Sequence, residues 1–265
     1  MNPFDIFIPI LINPLINLLL GLYNVAEILS LPGPLGWAIV FLTLLINGVI
    51  YPFKTAQLKS QKKLTELRPH LAELKKKHGH DKKRHGEETM KLYRQHGYNP
   101  ASGCLPLLIQ LPVLFGLYAV FLNTLGKPAE QALGQLNSTA YFPWLRITSL
   151  DESFLGLNLG AIPNQAGLNF PIILIIVVTA LLQFFLTKMT LPATSPKVGK
   201  EASFEDSLAA SQGLMVYIFP LLLASAAYTL PLGLALYWNV TSIFAIIQQY
   251  LIAGPGGLAK WLPKK

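Results

Sequence analysis

From Asp206 to Lys260 the chain carries no Asp, Glu, Lys or Arg. Three further gaps of this kind run from Glu27 to Lys54, from Arg94 to Lys127 and from Glu152 to Lys188. A membrane-spanning helix needs about 20 consecutive apolar residues. The first three gaps therefore hold one span each, and the last holds two. The composition agrees. Of 265 residues, 52% are hydrophobic and 13% are charged, where soluble domains average about 25% charged. A soluble globular domain, a disordered chain and a coiled-coil rod are excluded.

The 21 Lys and Arg residues set the orientation. Most of them fall in 54–103, and only Lys127 and Arg146 lie between the second and third gaps' spans. With spans at 31–53, 104–125, 169–187, 213–230 and 232–252, the loops alternate between positive and nearly uncharged. The positive-inside rule places 54–103, 188–212 and the tail 253–265 in the cytoplasm. The N-terminus, 1–30, and the loop 126–168 lie outside. No cationic stretch precedes the first apolar run, so no cleavable signal peptide is expected and the mature chain is expected to begin near Met1.

Residues 4–29 are apolar, but Pro9 and Pro14 interrupt them. Asn13, Asn17, Gly21 and Asn24 recur at helical spacing and draw one polar stripe. The segment 13–29 reads as a helix lying in the outer interface. The loop 54–103 is basic and holds all five histidines. Leu64, Leu67, Leu71 and Leu74 form a heptad-like seam. A second helical stretch follows around Glu87–Gln95, after a break at His78-Gly79-His80-Asp81. Together they predict a helical hairpin. The fold class is thus an all-α integral membrane protein: five transmembrane helices, an outer interfacial helix and a cytoplasmic helical hairpin.

Few residues offer chemistry. One cysteine, Cys104, excludes an internal disulfide framework and a cysteine-based zinc site. His78, His80 and His85 stand among Lys75, Lys76, Lys77, Lys82, Lys83 and Arg84, whose charge repels a metal cation. No metal site, cofactor or catalytic residue is expected. The spans hold no acid pair, which argues against a proton-coupled transporter or a charged ion filter. Their polarity is neutral: Thr43 and Asn47 in the first span, Gln110 in the second, Gln183 in the third, Trp238 and Asn239 in the last. Such groups serve either as interhelical glue or as the lining of a hydrated cavity. The basic hairpin attracts anionic lipid or RNA phosphates.

Two stretches are more specific. Asn99-Pro100-Ala101-Ser102-Gly103-Cys104-Leu105-Pro106 through Gln110-Leu111-Pro112 resembles the opening of the second core span in the YidC/Oxa/Alb family of membrane insertases. Leu230-Pro231-Leu232-Gly233 through Tyr237-Trp238, with Ile246-Ile247-Gln248-Gln249-Tyr250, resembles that family's last span. Gln57-Leu58-Lys59-Ser60 and Glu66-Leu67-Arg68-Pro69 resemble its entry into the hairpin. The resemblance covers about 8–255. It implies no enzyme activity. It implies a bacterial cytoplasmic (inner) membrane protein that receives nascent membrane proteins in a polar groove, open to cytoplasm and lipid and closed outside. Membrane lipids, the ribosome and a Sec-type translocon are the partners it implies. The groove would take Asn47, Gln183 and Trp238, with Gln110 and Thr43 added on position alone. Lys62, Lys63, Arg68, Lys75, Lys76, Lys77, Lys82, Lys83 and Arg84 would give the hairpin its contacts.

One departure stands out. The family usually carries an arginine in the first core span, and alignment of Leu42-Thr43-Leu44-Leu45-Ile46 puts Asn47 at that position. Lys54 lies seven residues on, two turns along nearly the same helix face. It is expected to snorkel toward the groove mouth and act as a gate charge on an otherwise neutral groove. The rival readings are a non-catalytic assembly scaffold and a small transporter or pore.

Overall fold

The structure, a computed structural model, describes residues 8–98, 115–121, 125, 127–191 and 204–261. A π-helical turn, Ile8–Ile12, leads into α1, Asn13–Ile28, with Pro14 in its first turn where a missing N–H costs nothing. The chain then turns at Gly33, whose φ of 70° suits a residue without Cβ. Helix α2 follows, Pro34–His78, 45 residues without a break. At about 1.5 Å per residue it is about 67 Å long, roughly twice the hydrocarbon thickness of a bilayer.

The expected span 31–53 and the first helix of the expected hairpin are therefore one element. Pro52 and Pro69 sit inside it. Each removes one intrahelical bond without ending the helix. Lys75, Lys76, Lys77 and His78 occupy the last turn, where cations complement the helix dipole. Helix α3, Lys82–Gln95, runs back along α2, and Asp81 caps it by accepting from Arg84 N at 3.1 Å. It begins five residues earlier than the sequence pattern around Glu87 suggested. Of the leucine seam only Leu67 is buried; Leu64, Leu71 and Leu74 are half-buried.

Of the expected span 104–125, only 115–121, here α4, and Leu125 are among the described residues. Leu117, Val120 and Phe121 of α4 are buried. The outer loop contains α5, Ala129–Thr139, a 3₁₀ turn at Pro143–Leu145, strands β1 (Ser153–Phe154) and β2 (Leu157–Asn158), and the short α6, Pro163–Ala166. The strands are antiparallel, with Ser153 opposite Asn158. Helix α7, Phe170–Thr190, opens on Asn169, which accepts from Ile172 N at 3.0 Å. Helices α8, Phe204–Thr229, and α9, Leu232–Ala253, meet at a turn carrying Pro231.

Three helical stretches among the described residues are long and apolar enough to cross a membrane: Ile8–Ile28, Pro34–His78 and Phe170–Thr190. A shorter apolar one covers Gly213–Thr229. Two buried clusters hold the helices together. One joins α1, α2, α4, the outer loop and α9 through Leu20, Tyr23, Ile39, Leu42, Phe121 and Tyr237. The other joins α7, α8 and α9 through Ile172, Ile175, Ala227, Leu232 and Ala235. Leu236 and Trp238 pack against both. Helix α9 is thus the shared wall between α2 on one side and α7 on the other.

The polar stripe of α1 faces protein. Asn17 donates to Thr139 O at 3.0 Å and accepts from Tyr141 N at 2.6 Å. Asn24 donates to the carbonyls of Trp144 and Leu145. Tyr23 is buried, and its hydroxyl donates to Ser149 O and accepts from Asp151 N, each at 3.1 Å. The outer loop is tied down along the length of α1.

Candidate functional site

Among the described residues, the expected groove residues and their polar neighbours lie on three helices. On α2, Thr43 and Asn47 are 1% and 2% exposed. Thr43 Oγ1 donates to Ile39 O at 2.6 Å, and Asn47 Nδ2 donates to Thr43 O at 2.8 Å. Both are satisfied by their own helix. The remaining acceptor, Asn47 Oδ1, takes a hydrogen bond from Lys54 Nζ at 2.9 Å. Two helical turns bring residue 54 back to the face of residue 47, and the lysine stem spans the rise between them. The ammonium has three donors and spends one here. The sequence suggested a neutral groove with Lys54 at its rim. The geometry brings its ammonium to Asn47.

On α7, Thr179 and Gln183 are buried one turn apart. Thr179 Oγ1 donates to Ile175 O at 2.8 Å. Gln183 Nε2 donates to Thr187 Oγ1 at 3.1 Å, and that hydroxyl donates to Gln183 O at 2.7 Å. On α9, Asn239 and Ser242 are buried. Asn239 Oδ1 and Thr241 Oγ1 have no hydrogen-bond partner among the described residues. Trp238 is half-buried where the two clusters meet. So α2 and α7 each turn a self-satisfied polar stripe inward, while α9 between them holds unpaired polar atoms. Gln110 lies outside the described residues.

Sequence reasoning quoted Gln248 and Gln249 only as part of a motif. Both are buried, at 2% and 4% exposure. Gln248 Nε2 donates to Tyr51 O and to Thr55 Oγ1, each at 3.1 Å. Gln249 Nε2 donates to Met189 O at 3.3 Å. Amides adjacent in sequence on a long apolar helix were the available signal.

The end of the bundle where α9 begins is covered by residues 152–161. Leu232 N and Gly233 N, at the start of α9, donate to Ala161 O and Leu159 O of the outer loop at 3.1 and 2.8 Å. The Phe154 ring fills the space where a side chain at Gly36 would stand, and it meets Trp37 edge-on at 5.7 Å. Glu152 packs against Gly160, which leaves no room for a Cβ there. Its Oε1 is buried without a partner among the described residues. Burial pushes the Glu152 carboxyl above the usual carboxylate range.

On the hairpin formed by the end of α2 and α3, Lys62, Lys63, Lys76, Lys77, Lys83 and Arg84 are exposed, and Arg68 and Lys75 are half-buried. The side chain of Lys82 is outside the described set. A cleft of about 250 Å³ separates α2 from α3, lined by His70, Glu73, Lys77, Glu88, Lys91 and Gln95 among others. Its mixed charges and exposure distinguish it from the buried stripes. Among the described residues no cluster of three His, Cys, Asp or Glu could hold a metal ion.

The 60Kd inner membrane protein family matches residues 27–255. The chain is 31% identical over 224 residues to a membrane protein insertase YidC of Fusobacterium nucleatum, covering 84% of this chain and 88% of that one. It is 32% identical over 221 residues to membrane protein insertase YidC 1 of Listeria monocytogenes, covering 82% of this chain and 63% of that one. Against the Leptospira interrogans YidC it is 29% identical and spans 30% of that protein's length. A crystal structure described as an active YidC insertase with its first transmembrane domain resolved superposes with a TM-score of 0.53 at 26% identity. That match covers 94% of this chain and 47% of the crystallised one.

Proposed function

Because the chain belongs to the 60Kd inner membrane protein family, we propose that it is a membrane protein insertase, a chaperone that passes nascent hydrophobic segments from the cytoplasm into the bilayer. Asn47, Gln183, Trp238, Thr43 and Gln110 form its groove, with Lys54 as the groove's charge. The protein crosses the inner membrane five times, with its N-terminus outside and its C-terminus and basic hairpin in the cytoplasm. Nascent membrane proteins are its substrates. The hairpin receives them, with the ribosome and a Sec-type translocon as partners. It performs no covalent chemistry.

The observation that carries this reading is the chain Lys54–Asn47–Thr43 inside an apolar bundle. A short polar flank of a substrate loses its hydration on entering the membrane, at a cost of several kcal/mol per unpaired group, on the order of the penalty for any buried polar group. A groove that offers donors and acceptors offsets part of that cost. The ammonium's remaining donors would meet a carbonyl or carboxylate on the flank. Helices α2 and α7 satisfy their own polar stripes, so on those two walls an empty groove leaves few groups unpaired, and the unpaired atoms of α9 are left to meet the flank. Once the flank is held, the hydrophobic segment leaves sideways, driven by burial of its own apolar surface in lipid. No nucleotide is required for that step. The tied outer loop keeps the groove closed on its far side.

Depleting a bacterium of its own insertase and expressing this chain tests the reading. Restored insertion of a short single-span protein is expected. No restoration with a well-expressed, correctly inserted chain would favour an assembly scaffold. Solute or proton flux in liposomes would favour a transporter.

A further inference from the structure

Gln248 and Gln249 are neighbours on α9, yet they reach in different directions. Gln248 holds α2, through Tyr51 O and Thr55 Oγ1. Gln249 holds α7, through Met189 O. Pro52 has no N–H, so the helical bond missing from α2 is the one to Gly48 O, one turn before the proline. Met189 lies in the last turn of α7, where carbonyls have no intrahelical donor. Gln249 therefore grips α7 where its ladder runs out, and Gln248 grips α2 beside its internal proline, through a carbonyl and a hydroxyl. Thr55 and Tyr51 flank Lys54, the residue whose ammonium reaches Asn47. Gln249 Oε1 is buried without a partner among the described residues. An unpaired buried acceptor is costly, and it is accepted here where the amide reaches Met189.

We propose that Gln248 and Gln249 form a two-armed fork that fixes the spacing of α2 and α7 at the cytoplasmic mouth of the groove and holds Lys54 against Asn47. Both are positioning residues: they act through the helices they hold. This inference rests on the groove reading above. It names the elements that set the width a substrate meets on entry.

The test uses the full chain in nanodiscs, with Cys104→Ser and spin labels on cysteines replacing the exposed residues Lys59 and Phe185. Pulsed dipolar distances between the labels should form one narrow distribution. Gln248→Met and Gln249→Met, which keep volume and lose the donor, should each broaden it. Thr55→Val removes one acceptor only and should broaden it less. Thr55→Val added to Gln248→Met should change nothing further, because the two share one interaction. Insertion of a single-span substrate should fall about fivefold to tenfold in Gln248→Met, the weight of a buried hydrogen bond or two. Gln248→Met combined with Lys54→Met should insert no worse than Lys54→Met alone. A distribution that stays narrow in both glutamine variants overturns the fork. So does full additivity between Gln248→Met and Lys54→Met. If Lys54→Met and Asn47→Leu leave insertion intact while the glutamine variants broaden the distances, the groove reading fails and the fork survives as an architectural element.

Discussion

Lys54 reaches Asn47 because seven residues make two helical turns, and because an amide oxygen is available there. A lysine carries its charge on a flexible stem, so the positive centre can stand well away from its own Cα. The charge the sequence appeared to lack at residue 47 is supplied from two turns below. Two predictions follow at this scale. Lys54→Met should lower insertion of substrates with acidic flanks about tenfold, on the order of one hydrogen bond to a charged group, with uncharged flanks much less affected. Asn47→Arg in the Lys54→Met background should recover most of that loss, while Asn47→Arg beside native Lys54 should not improve on the wild type, since two cations would share one site. Both are read in an insertion assay with matched substrates. The pair was legible in sequence from spacing alone. The direction in which the lysine points was not, because the same spacing permits it to extend into the cytoplasm.

At the scale of elements, the outer loop and α1 act as one piece. Asn17→Leu would remove three hydrogen bonds, one of them to Asn13 O of its own helix, and leave Tyr141 N–H and Thr139 O to find other partners. A loss of about 1–3 kcal/mol of stability is expected, seen as a lower melting temperature in detergent. The outer hairpin carries a pH dependence through Glu152. Its carboxyl titrates above the ordinary value in the folded protein because burial disfavours the charged form. As pH falls from the raised value toward the ordinary carboxylate value, the folded state takes up its proton first, so this group's contribution to stability rises. Glu152→Gln should flatten that part of the melting-temperature profile and leave the rest unchanged. A profile with the same slope in both proteins would contradict it. The polar stripe Asn13, Asn17, Gly21 and Asn24 was visible in the sequence as a stripe. What it faces was not visible, because its partners are backbone groups more than a hundred residues away. Pro52 is a second place where tertiary context decides. Local rules favour a break there, whereas α2 continues, with tertiary contacts from α9 beside the proline. Gln248 and Gln249 could be quoted from sequence, but their divergence depends on how α9 is rotated against two neighbours.

At the scale of the whole molecule, α2 joins the membrane part to the basic hairpin without a hinge in its secondary structure. The hairpin and the segment that holds Asn47, Lys54 and the grip of Gln248 thus share one helix. The alternation of charge read from the sequence predicts which side each part occupies. A cysteine in place of Lys63 should react with an impermeant reagent only after the membrane is opened. One in place of Gly134 should react in intact cells. The opposite pattern would invert the topology and with it the reading of the groove.

The most direct test is reconstitution. The purified chain in liposomes, with no nucleotide and no other protein, should insert a short single-span substrate bearing an acidic flank. The combined Lys54→Met and Asn47→Leu variant, folded to the same melting temperature within a few degrees, should insert it poorly. Insertion no better than in empty liposomes, or insertion indifferent to both substitutions, would contradict the account.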